Sequence, residues 1–144
     1  MNHVLDTSVI AKGLIEPRRK KQDSILEEQT RIYKIASLIM DQVNNKEINL
    51  IVPSIALVEI AAVAARLTGK DQRGIQASNY VRKHGNIIYD TSFLNEAIKI
   101  ASEIHISGFD SVFIACAKLT NSTLITDDKK MHDAAISLAI NSKL

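Results

Sequence analysis

Short β-branched runs alternate with longer stretches of helical spacing along the whole chain, and this alternation constrains the fold more than any other feature. His3-Val4-Leu5, Ile48 to Val52, Asn86 to Tyr89 and Thr123 to Thr126 are the candidate strands. Between them, apolar residues recur every three or four positions, the period of one helix face. Strands separated by helices pair in parallel, because the crossover returns the chain to the same edge of the sheet. The expected architecture is α/β, a three-layer α/β/α arrangement around a central parallel sheet of four to five strands. A chain of 144 residues has room for one such core, so residues 1–144 are read as a single domain. Five Gly and two Pro are few enough to leave long helices unbroken.

The first predicted helix covers Val9 to Leu14, capped by Thr7 or Ser8. The second covers Ser24 to Val43, opened by the capping box Ser24-x-x-Glu27, with a stripe of Ile25, Ile32, Ile35, Ile39 and Val43. Ser54 caps a third that ends at Gly69, and a fourth covers Asp71 to Lys83. Asp90-Thr91-Ser92 opens a helix with the stripe Leu94, Ala97/Ile98, Ala101 and Ile104. Phe109 to Leu119 and Lys130 to Ala139 complete the set, and residues 141–144 either add an edge strand or fray.

Composition removes several classes of function. The chain has 18 Lys+Arg against 16 Asp+Glu, so it carries neither a basic arm nor an acidic tail. Aromatics make up 4% with no Trp, too few for a base-stacking platform. The lone Cys116 sits in an apolar helical run and reads as core, and the four His lack zinc-ligand spacing. The longest charge-free run, Ile48 to Val58, has 11 residues, short of the roughly 20 that span a bilayer. No signal-peptide stretch precedes Asp6. The expectation is a soluble, cytoplasmic protein with no membrane partner.

The informative charges are acids in apolar surroundings. In open α/β sheets, ligands bind beyond the carboxyl ends of the strands. Asp6 closes the first strand, Asp127-Asp128 follow the strand at Thr123, and Asp110 opens a helix after a Gly-containing turn. Glu59 is the only charge between Ile48 and Ala65, in a helix apolar on nearly every face and therefore expected to be buried. Singly, each Asp can be a helix cap or a turn residue, and Asp90 before Thr91-Ser92 is read as one. Gathered at one edge, the acids would repel each other unless a cation held them ionised. No cluster of buried Lys or Arg is evident for that task. Hard carboxylate ligands suit Mg²⁺ or Mn²⁺, and such an ion supports phosphodiester hydrolysis.

Four segments carry a family resemblance. Val4-Leu5-Asp6-Thr7-Ser8-Val9-Ile10 resembles the opening of a PIN domain, and Pro53-Ser54-Ile55-Ala56-Leu57-Val58-Glu59 resembles its Pro-x(5)-Glu segment. Ser107-Gly108-Phe109-Asp110-Ser111 resembles the third acidic motif, with Ser111 where a small Ala is usual. Leu124-Ile125-Thr126-Asp127-Asp128 matches Thr-x-Asp, which gives the family role to Asp128 and leaves Asp127 as the variable position. Order and spacing fit over essentially the whole chain.

The resemblance implies a Mg²⁺- or Mn²⁺-dependent endoribonuclease similar to the VapC toxins of toxin–antitoxin pairs. In that picture Asp6, Glu59, Asp110 and Asp128 hold the metal and orient the attacking water, with Ser8, Thr126 and Asp127 supporting them. Members of the family commonly form homodimers and are inhibited by a small antitoxin that covers the acidic site. The helices at Ser24 to Val43 and after Pro53 are candidate surfaces for those contacts. RNA phosphates need basic partners, and Arg18, Arg19, Lys20 and Lys21 are the first candidates, ahead of Arg66, Lys70, Arg73, Lys129 and Lys130. A non-toxin RNA-processing nuclease and a catalytically silent partner-binding module of the same family would share this pattern. An aspartyl phosphatase is disfavoured, since Asp6-Thr7-Ser8 lacks the second acid of Asp-x-Asp.

Overall fold

The computed structural model describes residues 1–138 and 140–143. Five strands, β1 (Asn2–Leu5), β2 (Asn49–Pro53), β3 (Asn86–Ile88), β4 (Thr123–Ile125) and β5 (Ser142–Lys143), form one parallel sheet in the order β3-β2-β1-β4-β5. Helices α1 (Thr7–Leu14) and α2 (Ser24–Asn44) link β1 to β2, and α3 (Ala56–Thr68) and α4 (Asp71–His84) link β2 to β3. The chain then reverses direction across the sheet. Helices α5 (Leu94–Ile104) and α6 (Gly108–Leu119) lead to β4, and α7 (Lys129–Ser137) leads to β5. Helix α1 packs against α2 and α3, while α6 packs against α5 and α7. Right-handed crossovers place α1–α4 on one face and α5–α7 on the other, which completes the three layers.

Central β1 is buried on both faces, as a parallel strand must be: Val4 and Leu5 are fully enclosed. Around it pack Leu50 and Val52 of β2, Leu124 of β4, Ile10 of α1, Ile60 of α3 and Phe113-Ile114 of α6. Two close helix contacts depend on missing side chains. A Cβ on Gly74 of α4 would lie 2.5 Å from the Ala61 carbonyl oxygen of α3, and one on Gly13 of α1 would lie 2.7 Å from that of Ala36 in α2. Gly69 ends α3 in the left-handed conformation, φ 68°, with its N–H donating to Ala65.

Several local expectations are corrected. Helix α2 is capped by Asp23, whose carboxylate accepts the Leu26 N–H, and not by a Ser24 capping box. Ser54 does not cap α3; its hydroxyl accepts the Asp90 N–H, and the Asp90 carboxylate accepts the Ile55 N–H in return. Asp90 thus joins two strand-end turns instead of opening α5, which begins at Leu94 after a 3₁₀ turn over Asp90–Ser92. The α5 stripe is rotated: Phe93, Ala97 and Ile100 are buried, and Leu94 and Ile98 face solvent. On α2, Ala36, Met40 and Val43 are buried while Ile25 and Ile35 are exposed. Helix α3 is not enclosed on every side, since it lies in an outer layer with α4 and α1 as neighbours; Val58 is 66% exposed and Leu67 50%. Strand β5 settles the alternative at 141–143 in favour of an edge strand. The last helix stops at Ser137, and Ala139 and Leu144, within the expected end segments, lie outside the described residues.

Candidate functional site

Chain reversal between β1 and β4 opens a crevice at their carboxyl ends, the place where open parallel sheets bind ligands. Asp6 follows β1 at that point, and its N–H donates to the Ile125 carbonyl of β4 at 2.9 Å. Thr126, buried at the end of β4, donates its hydroxyl to Asp6 Oδ2 at 3.0 Å and accepts the Asp128 N–H, also at 3.0 Å. Ser8 Oγ lies 3.1 Å from the same Asp6 oxygen and 2.7 Å from Asp127 Oδ1. Asp127 Oδ2 forms an ion pair with Lys12. Asp6, Ser8, Thr126, Asp127 and Lys12 therefore form one connected network. Neither Thr7 nor Ser8 caps α1; Ser8 is turned to the carboxylates, and the buried Thr7 hydroxyl has no hydrogen-bond partner among the described residues.

Asp110 enters from the opposite layer, in the first turn of α6, where Ser107 caps the helix by accepting the Asp110 N–H at 3.1 Å. Ser111 fits the position where a small residue is usual because its buried hydroxyl bonds back to the Ser107 carbonyl at 2.9 Å. Asp128 caps α7, its Oδ1 accepting the N–H groups of Lys130 and Met131. Glu59, expected to be buried, is only partly buried and lies in the first turn of α3, a place the helix dipole favours for an acid. It forms no ion pair among the described residues.

The electrostatics separate the acids. Burial pushes the Asp6 carboxyl above the usual carboxylate range; the Thr126 and Ser8 hydroxyls oppose this, and the charges of Asp110 and Asp127 add to it. Asp110 is raised for the same first reason, with the Asp128 charge adding and Ser107 and Lys130 opposing. Asp127 goes the other way. Burial is its largest single influence and acts upward, but the Lys12 and Ser8 hydrogen bonds and the Lys12 charge together carry it below the ordinary value.

These directions predict a pH effect. An acid raised on folding binds more protons folded than unfolded just above its ordinary range, so stability falls as pH rises through that window. Ionised Asp6 thus weakens the metal-free fold at neutral pH. Asp6→Asn is expected to raise the thermal midpoint in EDTA at about pH 7, with the gain vanishing near pH 3, where the wild-type carboxyl is itself protonated. A lowered midpoint at neutral pH would refute the assignment of a burial-strained carboxylate.

Among the described residues, no three of His, Cys, Asp and Glu come together at metal-binding distance. The expected gathering of four acids is therefore looser than its sequence order implied: Asp127 is drawn to Lys12, Asp128 to the end of α7, and Asp6 and Asp110 repel. No cluster of buried Lys or Arg surrounds these acids among the described residues; a single, partly exposed Lys12 pairs with Asp127. Lys12 is the residue that sequence reasoning missed. Its signal was available: it is the only charge in α1, one turn beyond Ser8. The donor set still suits a hard divalent cation. It is all-oxygen, and among the described residues the hydrogen bonds to the Asp6 carboxylate, from Ser8 and Thr126, fall on Oδ2, leaving Oδ1 for another partner.

A groove of about 330 Å³ runs between α1 and α2 from Thr126 and Asp127 over Val9, Ile32 and Ile39. A neighbouring cavity of about 340 Å³ is bounded by Pro17, Arg18, Arg19, Tyr33 and Leu67, and Lys12 and Ile32 line both. Arg18 and Arg19 thus meet the groove system, whereas Lys20 and Lys21 do not line it; Arg19 is also paired with Asp23 at 2.6 Å. Cys116 is buried, its thiol pushed up to about 12 by burial and the Asp90 charge, which leaves it protonated at neutral pH. No helix among the described residues is long and apolar enough to cross a membrane.

Fold and site define an open parallel α/β domain with carboxylates from both helical layers at its switch point. The chain belongs to the PIN domain family, whose pattern it matches over residues 3–137. In fold it is similar to a chain of the VapBC2 complex from Rickettsia felis, solved bound to a DNA fragment from its promoter, with TM-score 0.64 and 15% identity over 99% of this chain and 98% of that one. It is similar as well to FitAB bound to the IR36 DNA fragment (TM-score 0.63, 19% identity, 98% and 93% covered). FitAcB from Neisseria gonorrhoeae gives a TM-score of 0.57 at 16% identity, with 99% and 96% covered. No curated protein matches the chain by sequence.

Proposed function

We propose that this chain is a Mg²⁺- or Mn²⁺-dependent endoribonuclease and the toxin of a VapBC-type toxin–antitoxin pair, acting in the cytoplasm as a single PIN domain over residues 1–144. The observation that carries the reading is the placement of Asp6 at the switch point, half-buried and raised, with Asp110 entering from the opposite layer. Two desolvated carboxylates, Asp6 raised further by the Asp110 charge and Asp110 by that of Asp128, gain most from a divalent counter-ion. Asp6 and Asp110 would hold it, with Glu59 and Asp128 as further ligands. When bound, the ion supplies charge stabilisation for the phosphate and lowers the pKa of water. The protein's own groups do the rest. Thr126 and Ser8 fix the rotamer of Asp6, the Ser107 cap fixes the start of α6 and so Asp110, and Asp128 ties the β4–α7 turn to Thr126.

The VapBC2 and FitAB assemblies support the toxin reading, because both names denote two-component complexes and the fold extends over nearly all of each matched chain. Exposed apolar residues on α2 (Ile25, Ile35, Leu38) and α3 (Val58, Leu67) are fitting surfaces for an antitoxin and for a second copy in a homodimer. The direct test is cleavage of single-stranded RNA by the purified chain in Mn²⁺, with none in EDTA. A short overlapping upstream reading frame would separate a toxin from an RNA-processing nuclease of the same family.

Substrate phosphates would follow the groove toward Arg18 and Arg19, with Lys20 and Lys21 adding charge from the same loop. Neutralising Arg18 to Lys21 is expected to weaken RNA binding and flatten its salt dependence, by about 0.7 in log–log slope for each phosphate left without its cationic partner. Binding measured between low and high salt checks this, and an unchanged slope would remove the loop from the RNA path.

A further inference from the structure

Ser8 has one hydroxyl proton and two carboxylates within reach, Asp127 at 2.7 Å and Asp6 at 3.1 Å. The closer acceptor is the one anchored by Lys12, which pairs with its other oxygen. Asp128 is engaged elsewhere, with its Oδ1 on the N–H groups of Lys130 and Met131. The turn after β4 therefore offers two adjacent acids with different tasks, one beside Asp6 and one capping a helix.

We propose that Lys12 is a positioning residue of the acidic site: by holding Asp127 against Ser8 it adds Asp127, beside Asp128, to the acids that work with Asp6, and it sets how strongly that edge takes up a divalent cation. This rests on the metal-nuclease reading above. The ammonium balances one of the charges around Asp6, so the oxygens keep their places without a metal. It also competes with a metal for Asp127. The side chains of Lys12 and Asp127 are 42% and 31% exposed, and both line the α1–α2 groove, so a dissolved cation can reach the pair. Removing the ammonium therefore has two effects of opposite sign. Affinity for a divalent ion rises, because a bare carboxylate is added to the edge. Turnover falls, because Ser8 and Asp127 lose the anchor that orders them beside Asp6. A residue that only stabilises the fold would produce neither the opposition nor a dependence on Asp127.

The test is calorimetric titration of the full chain with Mn²⁺ for wild type, Lys12→Met, Lys12→Arg, Asp127→Asn and the Lys12→Met/Asp127→Asn double variant, with RNA cleavage measured alongside. Lys12→Met is expected to bind Mn²⁺ about three- to tenfold more tightly and to lose tenfold or more in kcat, while Lys12→Arg stays within about twofold of wild-type affinity. In the Asp127→Asn background, Lys12→Met should shift the affinity by less than about twofold, since the partner is already gone. An equal shift in both backgrounds would mean that Lys12 is only a distant charge, and no shift in either would mean that it is only structural. Either result overturns the proposal while wild-type Mn²⁺ binding remains. Flat titrations for every variant, wild type included, would instead overturn the metal reading itself, and the positioning role with it.

Discussion

Asp6→Asn and Asp110→Asn are each expected to abolish Mn²⁺- or Mg²⁺-dependent cleavage of single-stranded RNA, by about 10³-fold or more, without unfolding the chain. Asn keeps the volume of Asp and an oxygen able to accept from Thr126 and Ser8, so the network around position 6 survives the change. What disappears is one negative charge on a hard oxygen donor, and an amide is a poor ligand for a divalent cation compared with a carboxylate. A loss of about 4 kcal/mol in transition-state stabilisation corresponds to about a thousandfold in rate. The fold is not at risk, because burial already strains the ionised carboxyl at position 6 and at position 110. Single-turnover cleavage with a labelled RNA, alongside circular dichroism, reads both halves. Full activity in either variant would sink the mechanism.

Phe113→Ala is the substitution with the largest expected effect on stability. Phe113 is the largest of the fully buried side chains, on α6 one turn beyond Asp110, and its ring lies 6.0 Å from that of Phe109. Helix α6 packs on β1, β2 and β4, so this side chain seats the helix that delivers Asp110. Truncating a buried Phe to Ala costs about 3–5 kcal/mol, and each kcal/mol lowers the midpoint by roughly 2–4 °C in a domain of this size. Ile98→Ala on α5 is the contrasting case. Ile98 belongs to the stripe read from the sequence but is 55% exposed, so its loss should stay within about 0.5 kcal/mol. Urea unfolding of both variants decides between the two placements of α5. A large loss at Ile98 would restore the stripe read from periodicity.

The errors at helix ends and those on helix faces have separate physical causes. Ser24 and Ser54 are good cap residues, yet the adjacent Asp23 caps α2 by accepting the Leu26 N–H, and Ser54 turns to Asp90, a partner distant in sequence that only the fold brings near. Periodicity misplaces the stripes of α2 and α5 because Ile occurs on both buried and exposed faces of this chain. Period alone then fixes a helix but not its rotation about its own axis. The apolar run makes Glu59 look buried, but Ile55 precedes α3, so the acid falls in the first turn and is only partly buried. Helix α3 looks buried all round in sequence because its exposed face, with Val58 and Leu67, is as apolar as its packed one.

Alternation of strands and helices follows from local stereochemistry, so it is legible residue by residue, and the parallel sheet with Asp6 at a strand's carboxyl end is a direct consequence. The motifs around Asp6, Glu59, Asp110 and Asp128 are likewise short-range patterns, and they suffice by themselves to point to the family. Which carboxylate stands beside which is a different kind of fact. The pairing of Lys12 with Asp127, 115 residues apart, exists only because β1 and β4 become neighbours in the sheet. The adjacent acids Asp127 and Asp128 have the same chemistry in the chain and are separated by their partners: tertiary packing brings an ammonium to Asp127, while Asp128 caps the helix that follows it directly in sequence. Coulomb and desolvation energies depend on distance and burial in space, and sequence position carries neither.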